Sequence, residues 1–325
     1  MTWIDMARGT AIILVVFGHV WRGLFESEII SDHDLFRHVD QAIYLFHMPV
    51  FFILSGFVFR TGKRQTAGAF IKGRALRLLY PLVIWYYAFV GVKILMSSHV
   101  NTAFSLDRLL SFPVPFGTHL WFLYALLLIQ IICMPLAFTQ TRRQILTFSL
   151  LIITTALLVK YGVGFFNIWL NQSISYLPYF LVGVVMKELS SRDRLRAITP
   201  NALILLGGGA FCLAELLRFI DAPIAAPFLI LGLPAAIGFI LLVAGVCARY
   251  SQSLATGVLT RLGRSSMAIY LAHIFFTAFS RTALVETGVE NLWFHLLIGT
   301  SVGVLGPMLL EFASIKMRLN RVLGF

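Results

Sequence analysis

Two residues of the first apolar segment carry side chains that can do chemistry, a guanidinium at Arg8 and an imidazole at His19. The residues between them are almost all apolar, as is typical of a helix inside a membrane. Eleven residues of helix advance about 16 Å in roughly three turns, so both side chains lie within about 20° of one face. A guanidinium can neutralise a phosphate, and an imidazole can move a proton. Because ionisable groups are costly inside a bilayer, the pair indicates a functional site.

Each of these residues also has a simpler interpretation. Arg8 can merely mark the cytoplasmic end of the segment, as basic residues commonly do. His19 can be an interior histidine whose hydrogen bonds are satisfied by neighbouring helices. An imidazole in a dry pocket stays neutral, however, and a neutral imidazole suits a general base. We therefore predict His19 as the catalytic residue and place Arg8 at an anion-binding site.

Composition excludes most other classes of protein. The chain has 325 residues, 59% of them hydrophobic and 12% charged, and its mean hydropathy is +0.87. Such a chain is a bundle of membrane-spanning helices rather than a soluble domain. The net charge of +12 sits in short loops between apolar segments, which membrane topology requires, so no nucleic-acid partner is expected. No Cys/His cluster has the spacing of a metal site, and no metal is expected.

Ten apolar segments are close to the length that a helix needs to cross a bilayer. They cover about 7–25, 41–59, 76–96, 120–138, 144–160, 174–189, 202–217, 227–247, 265–284 and 292–315. Most of the 26 basic residues lie in loops on one side, and the opposite loops are rich in acids. The positive-inside rule then places both termini in the cytoplasm. We expect an all-α polytopic membrane protein of about ten transmembrane helices, with residues 1–325 forming a single domain.

The second apolar segment carries further candidates. Pro49 cannot donate a backbone hydrogen bond, so it kinks the helix and frees a carbonyl group. His47 lies near the predicted outer side of this kink. The small pair Ser55-Gly56 lies near the predicted inner side and allows the close approach of a ligand or of a neighbouring helix. Ordinary helix packing explains the small pair equally well.

Five more candidate positions are spread along the chain. Arg74 and Arg77 are about one helical turn apart and can clamp a phosphate group, although basic loops lie on the cytoplasmic side in any case. His119 and Trp121 open the fourth segment at the predicted outer face. Trp121 also suits the aromatic belt at the membrane interface. His273 lies at membrane depth in the ninth segment, where it can serve a substrate or simply bond a neighbouring helix.

These residues together resemble the acyltransferase-3 family, which consists of bacterial inner-membrane O-acyltransferases. The similarity begins at Trp3-Ile-Asp5-Met-Ala-Arg8-Gly9 and includes the spacing of Arg8 and His19. It continues through five stretches: Phe46–Pro49, Ser55-Gly56, Arg74–Arg77 with Pro81, Trp121-Phe-Leu and Gly263–His273. The His-Met-Pro form of the second segment resembles exopolysaccharide and sugar O-acetylases. Other members carry a Gly-Val-Asp type of sequence there, so His47 is our candidate for the polar contact that this change removes.

The resemblance implies a donor, an acceptor and a set of roles. Acyl-coenzyme A, usually acetyl-coenzyme A, would be the donor, and a hydroxyl of a polysaccharide or of a lipid-linked oligosaccharide would be the acceptor. His19 would be the general base. The donor would be held by Arg8, Ser55, Arg74 and Arg77, and the acceptor by His47, His119, Trp121 and His273. Two alternatives stay open at this point: an acyl-enzyme mechanism, and a transporter for a lipid-linked sugar.

Overall fold

A computed structural model describes residues 1–59, 66–95, 118–139, 141–162, 168–190, 198–220 and 228–325. Some of the basic residues on which the predicted topology rests, among them Arg60 and Arg192, lie outside the described residues. The described part of the chain is helical throughout and contains no strand. The predicted all-α class is therefore confirmed.

The helices follow one another with short connections. They are α1 (Thr2–Glu26), α2 (His33–Phe57), α3 (Ala67–Arg74), a π-helical turn (Ala75–Leu79), α4 (Tyr80–Leu95), α5 (Trp121–Ile132), α6 (Met134–Phe138), α7 (Arg142–Gly162), α8 (Ile168–Ser190), α9 (Pro200–Ile220), α10 (Phe228–Arg249), α11 (Leu254–Arg264), α12 (Ser266–Glu286), α13 (Leu292–Lys316) and α14 (Asn320–Leu323). Side chains fix several helix ends. Thr66 accepts a hydrogen bond from the backbone N–H of Ala69, and Asn291 accepts two from the first turn of α13.

Seven helical segments of the described chain are long and apolar enough to cross a membrane. They are Thr2–Glu26, His33–Phe57, Ala67–Leu95, Pro200–Ile220, Ile230–Arg249, Ser266–Glu286 and Leu292–Lys316. The protein is therefore a multi-pass membrane protein. The other three predicted spans fall on α5–α6, α7 and α8. Since these helices are not among the seven segments, the number ten stays a prediction, as does the cytoplasmic position of the termini.

Two predicted boundaries were wrong. The third span begins at Ala67 rather than near residue 76, since α3 and the π-helical turn continue directly into α4. The fourth span is interrupted at Cys133, which separates α5 from α6. Pro135 lies in the first turn of α6, where its missing N–H costs nothing and favours a new helix start.

The chain divides into two compact units. The first consists of Met1–His47, Tyr80–Leu120 and Leu254–Phe325, within the described ranges. Its centre is α1, which packs against α11, α12 and α13. The second consists of Met48–Leu79 and Trp121–Ser253, so α2 supplies its last part to this unit. In the second unit α9 packs along α10, and α7 packs along α8.

Glycines bring the backbones of α1 and α11 into direct contact. A Cβ atom on Gly9 would collide with the carbonyl oxygen of Leu259, and one on Gly263 would collide with that of Asp5. Neither backbone can move away independently, because each belongs to a helix. The contact therefore fixes α11 against the stretch of α1 that carries Arg8.

Candidate active site

Three histidine rings meet in the first unit. His19 lies on α1, His273 lies on α12, and His119 lies just before α5. The ring centroids are 5.0 Å apart for His19 and His273, 5.2 Å for His119 and His273, and 6.4 Å for His19 and His119. The sequence singled out all three residues, and the fold brings them together from positions up to 254 residues apart along the chain. We call these three residues the imidazole cluster.

His273 is held by its own helix. Its Nδ1 lies 3.0 Å from the carbonyl oxygen of Ile269 and 2.8 Å from that of Tyr270. Carbonyl oxygens only accept hydrogen bonds, so Nδ1 must carry the proton and Nε2 must carry a lone pair. The side chain is fully buried, and its Nε2 has no hydrogen-bond partner. A buried nitrogen of this kind can accept a hydrogen bond from a ligand or from a water molecule.

His119 has the opposite tautomer. Its Nε2 donates to the carbonyl oxygen of Leu271 at 3.2 Å, which leaves the lone pair on Nδ1. Its own carbonyl oxygen accepts a hydrogen bond from the hydroxyl of Tyr270. The His119 ring is 7% exposed, and its Nδ1 is buried without a partner. Two bonds to α12 thus position the ring, and Phe89 packs against it with centroids 5.5 Å apart.

His19 differs from the other two members of the cluster. It is only half-buried, and no hydrogen bond to its ring is found among the described residues. A histidine that is free of fixed partners and partly accessible can bind and release a proton more readily than one held by carbonyl groups. Arg8 lies on the same helix, also half-buried, about 16 Å away by helical rise.

Asp5 lies three residues before Arg8 and interacts electrostatically with its guanidinium. The ion pair that Asp5 makes is with Arg264 of α11, at 3.7 Å. The close contact of α1 with α11 explains this pair, since it brings the end of α11 to the first turns of α1. Among the described residues, Arg8 makes no ion pair of this kind with a carboxylate.

A second polar group lies beside the imidazole cluster, where α1 meets α2. Arg22 donates two hydrogen bonds to Asp40, at 2.6 and 2.9 Å, and its guanidinium lies 3.4 Å from the centre of the Tyr44 ring. Tyr44 in turn contacts His47, with centroids 4.5 Å apart. The ring of His47 is 1% exposed, and its Nδ1 donates to the carbonyl oxygen of Ile43 at 2.6 Å. His47 thus packs on Tyr44, and no ring contact joins it to the imidazole cluster among the described contacts.

Sequence reasoning missed Arg22, Asp40, Tyr44 and Tyr270. The hydroxyl of Tyr44 is buried without a hydrogen-bond partner and lies close to Gly18, next to His19. Signals for Arg22 and Tyr44 were present in the sequence: Arg22 is three residues after His19, and Tyr44 is three residues before His47. Residues at that spacing share a face of a helix.

The remaining predicted site residues lie in the second unit. Arg74 is half-buried, with its guanidinium 4.8 Å from the centre of the Phe70 ring and 5.6 Å from that of Phe59. Arg77 is exposed and lies in the π-helical turn, a geometry that often marks functional sites. Ser55 is half-buried beside Gly56. A Cβ atom on Gly56 would collide with a carbonyl group of α8, so helix packing accounts for this glycine.

Trp121 forms part of an aromatic cluster in the second unit. Its ring lies 5.3 Å from that of Tyr176 and 6.3 Å from that of Phe52, by centroids. Tyr176 and Phe52 stack at 4.6 Å with an interplanar angle of 19°. Trp121 and Tyr176 are both half-buried. The tryptophan thus packs against two other helices and presents part of its ring, which is also the surface that sugar rings prefer.

Among the described residues, no group of three or more His, Cys, Asp and Glu side chains could hold a metal ion. The imidazole cluster has two buried nitrogens that can accept hydrogen bonds and one less constrained histidine. Its members can therefore accept hydrogen bonds from a bound molecule and transfer a proton.

The sequence profile of a family described as an acyltransferase domain matches residues 1–312. The chain belongs to this acyltransferase family. The resemblance that the motifs indicated is thereby confirmed, and the chain is a multi-pass membrane member of this family.

Three relatives match this chain. Nodulation protein NolL of Sinorhizobium fredii is 30% identical over 128 residues, which are 38% of this chain and 33% of NolL. NolL of Mesorhizobium japonicum is 33% identical over 86 residues, 25% of this chain and 21% of that protein. Inner membrane protein YcfT of Escherichia coli is 23% identical over 319 residues, 87% of this chain and 82% of YcfT. The chain thus spans a third or less of the nodulation proteins. No solved structure matches it.

Proposed function

We propose that this acyltransferase moves an acyl group, acetyl in the simplest case, from cytoplasmic acyl-coenzyme A to a hydroxyl of a cell-surface or lipid-linked carbohydrate. The single observation that carries the proposal is the imidazole cluster, whose member His19 lies on the helix that also bears Arg8. The relative named as an inner membrane protein supports a place in the bacterial inner membrane. In this proposal the two compact units work as one domain.

The proposed reaction is a direct transfer. His19 accepts the proton of the acceptor hydroxyl as its oxygen attacks the thioester carbonyl carbon. The carbon–sulfur bond then breaks, and the protonated His19 returns the proton to the departing thiolate. Coenzyme A leaves as a thiol, and the acceptor leaves as an ester. Proton transfer by a positioned imidazole contributes about 10²–10⁴-fold to rates of this kind.

Arg8 is assigned to the anionic part of the donor. Coenzyme A carries phosphates, and a guanidinium binds phosphate through charge-assisted hydrogen bonds. Arg8 suits this role because no ion pair with a carboxylate occupies it among the described residues. Arg74 and Arg77 are assigned to the same phosphates, and Ser55 to the donor as well. Each of these contacts is a proposal from residue chemistry.

The acceptor is assigned to four residues. His119 and His273 belong to the imidazole cluster, and their free nitrogens can accept hydrogen bonds from hydroxyl groups. His47 packs on Tyr44, whose hydroxyl is itself unpaired. Trp121 presents an aromatic face on which a sugar ring can lie. A hydroxyl-rich substrate would satisfy groups that are otherwise buried without partners.

Thiol release by the purified protein tests this function. Acetyl-coenzyme A and a polysaccharide fragment are added in detergent, and free thiol is measured along with ester formation. We expect release with both substrates and a loss of about 10²-fold or more in His19→Ala. His295→Ala is the matched control, since His295 is a buried histidine of the same unit that is held by the carbonyl oxygen of Val289 at 2.7 Å.

Three results would contradict parts of the proposal. Thiol release at the normal rate in His19→Ala would remove the base assignment. Labelled acetyl that stays on the protein after acetyl-coenzyme A alone is added would replace direct transfer by an acyl-enzyme route. Uptake of a lipid-linked sugar into vesicles without any thiol release would favour a transporter.

A further inference from the structure

The two buried members of the imidazole cluster are restricted to one kind of ligand. Nε2 of His119 and Nδ1 of His273 already donate to backbone carbonyls, at 3.2 Å and at 2.8–3.0 Å. The nitrogens that remain, Nδ1 of His119 and Nε2 of His273, carry lone pairs and are buried without partners. A lone pair can be satisfied only by a group that donates a hydrogen bond.

This restriction excludes the reacting carbonyl and the ionised phosphates of the acyl donor as their partners. A thioester carbonyl and the oxygens of a phosphate only accept hydrogen bonds, so they would leave both nitrogens unpaired and repel the lone pairs. The same argument excludes a role for His119 and His273 as an oxyanion hole, which requires N–H groups aimed at the oxyanion. The occupant must bring hydrogen-bond donors, and a sugar brings them as hydroxyl groups.

The geometry of the pair calls for two donors. The centroids of the two rings are 5.2 Å apart and the ring planes cross at 83°, so a single hydroxyl proton cannot serve both lone pairs. Neighbouring hydroxyls of one sugar ring can each approach one nitrogen at about 2.8 Å. His19 lies 5.0 Å from His273 by centroids, which keeps the predicted base beside the same substrate.

We propose that His119 and His273 accept hydrogen bonds from a pair of sugar hydroxyls. The enzyme then acylates only a carbohydrate that keeps a free hydroxyl next to the one that reacts. The inference rests on the proposed function and adds the substrate class, a vicinal diol. An acceptor whose neighbouring hydroxyl is missing leaves a buried nitrogen unpaired. Sites built to bond a substrate hydroxyl reject analogues that lack it.

Wild-type protein and defined sugars provide the first test. Methyl α-glucopyranoside, methyl α-galactopyranoside and methyl α-mannopyranoside are offered with acetyl-coenzyme A, and the acylated position is found by NMR. The best of the three is then compared with its monodeoxy derivatives that retain the acylated hydroxyl. We expect kcat/KM to fall about tenfold or more for at least one derivative that lacks a neighbouring hydroxyl. Values within about threefold of the parent for every derivative would overturn the inference.

Variants then assign the discrimination to the two histidines. His119→Leu and His273→Leu should bring the ratio of kcat/KM for parent and deoxy sugar close to one, whereas a purely structural loss would lower both values equally. His119→Asn keeps an acceptor atom near the position of Nδ1 and should keep part of the ratio. His295→Leu is the control, since Nδ1 of His295 is also buried and unpaired but its ring lies apart from the cluster among the described contacts. An unchanged ratio in both cluster variants would contradict the assignment.

The experiment separates this inference from the function on which it rests. If neither the three glycosides nor the polysaccharide fragment is acylated, carbohydrate acylation itself is contradicted, and the inference falls with it. If a glycoside is acylated and every deoxy derivative reacts equally well, the proposed function stands and the inferred recognition of a vicinal diol is wrong.

Discussion

Helices α1 and α9 are both long and apolar, yet they treat their charged side chains in different ways. The most apolar window of α1 has a mean hydropathy of 1.4, and that of α9 has 1.9. In α9 the charged residues Glu215 and Arg218 pair with each other within the helix, at 2.7 Å. In α1 the charged residues Asp5 and Arg22 pair with residues of α11 and α2.

The surroundings of the two helices follow this difference. Helix α9 has exposed leucines along its length, such as Leu205 at 74% and Leu206 at 67%, which suits a helix that faces lipid. Helix α1 is surrounded by other helices, and Arg281 of α12 donates to the carbonyl oxygen of Gly23 near its end, at 2.7 Å. A charged side chain that pairs within its own helix needs no partner on a neighbouring helix. Charges satisfied across helices hold a fixed framework around His19, whose ring makes no hydrogen bond among the described residues.

The largest difference in activity between the two regions should follow the replacement of glycines at their helix contacts. In Gly263→Ala the new Cβ meets the backbone of α1, so α1 and α11 must separate near Arg8. We expect a loss of about 1–3 kcal/mol in stability together with lost transfer activity. Gly257→Ala on the same helix meets nothing within 4 Å and should be neutral or stabilising by up to about 1 kcal/mol. Thermal unfolding in detergent and acetyl transfer measure the two effects.

A glycine of α9 provides the matching case in the other region. In Gly207→Ala the new Cβ would collide with the backbone of Leu242 on α10, so a similar loss of stability is expected. The kcat/KM of the folded protein should stay unchanged, because no proposed site residue lies on either helix. Equal losses of activity in Gly207→Ala and Gly263→Ala, after correction for the folded fraction, would refute the functional contrast between α1 and α9.

The second effect concerns the guanidinium of Arg8. Arg8→Gln removes a positive charge assigned to the donor phosphates, and we expect the KM for acetyl-coenzyme A to rise about tenfold or more. The dependence of KM on salt should also weaken, since screening acts on charge. Arg8→Lys keeps the charge but lacks the planar guanidinium, so its KM should lie between those of the wild type and of Arg8→Gln. Kinetics at several ionic strengths measure both quantities.

A surface arginine is the control for this measurement. Arg37 pairs with Asp34 on an exposed face of α2 at 2.6 Å, with its side chain 57% exposed. Arg37→Gln should leave the KM for the donor unchanged. If it raised the KM as much as Arg8→Gln, the effect would reflect net charge rather than a binding site.

The sequence predicts a structural feature when the residue pattern behind that feature is local along the chain. All ten apolar segments fall on helices, because apolar runs in lipid must satisfy their backbone groups internally. Arg8 and His19 share α1 for the same reason. The π-helical turn and helix α11 were not predicted, since the sequence was searched for spans and both are too short to cross a membrane. His119 and His273 were each predicted as candidates, but their meeting with His19 depends on the packing of α12 against α1.

The sequence also could not identify the ion-pair partner of a charged residue that has two candidates. Asp5 lies three residues from Arg8, which is the right spacing for a pair on one helix. The pair with Arg264 was invisible, because it depends on the glycine contact between α1 and α11. Tertiary packing chose the partner, and helical spacing alone could not.

The smallest effect should come from the ion pair of α9. Its two side chains are partly shielded, at 18% exposure for Glu215 and 13% for Arg218. Replacing both by leucine removes the charges together, so no uncompensated charge remains, and the stability should change by less than about 1 kcal/mol. Arg218→Leu alone leaves the carboxylate without its partner and should cost about 2 kcal/mol. A double-mutant cycle by thermal unfolding measures the coupling.

The same cycle on Arg22 and Asp40 sharpens the contrast between the two helices. There the pair joins α1 to α2 and lies against Tyr44, beside the imidazole cluster. The double replacement should therefore lower transfer activity as well as stability, because the face of α1 that presents His19 loses a fixed neighbour. Full activity in the variant with both Arg22 and Asp40 replaced by leucine would mean that cross-helix pairs, like the pair within α9, serve stability alone. The framework around His19 would then be maintained by the glycine contacts and the Arg281 bond.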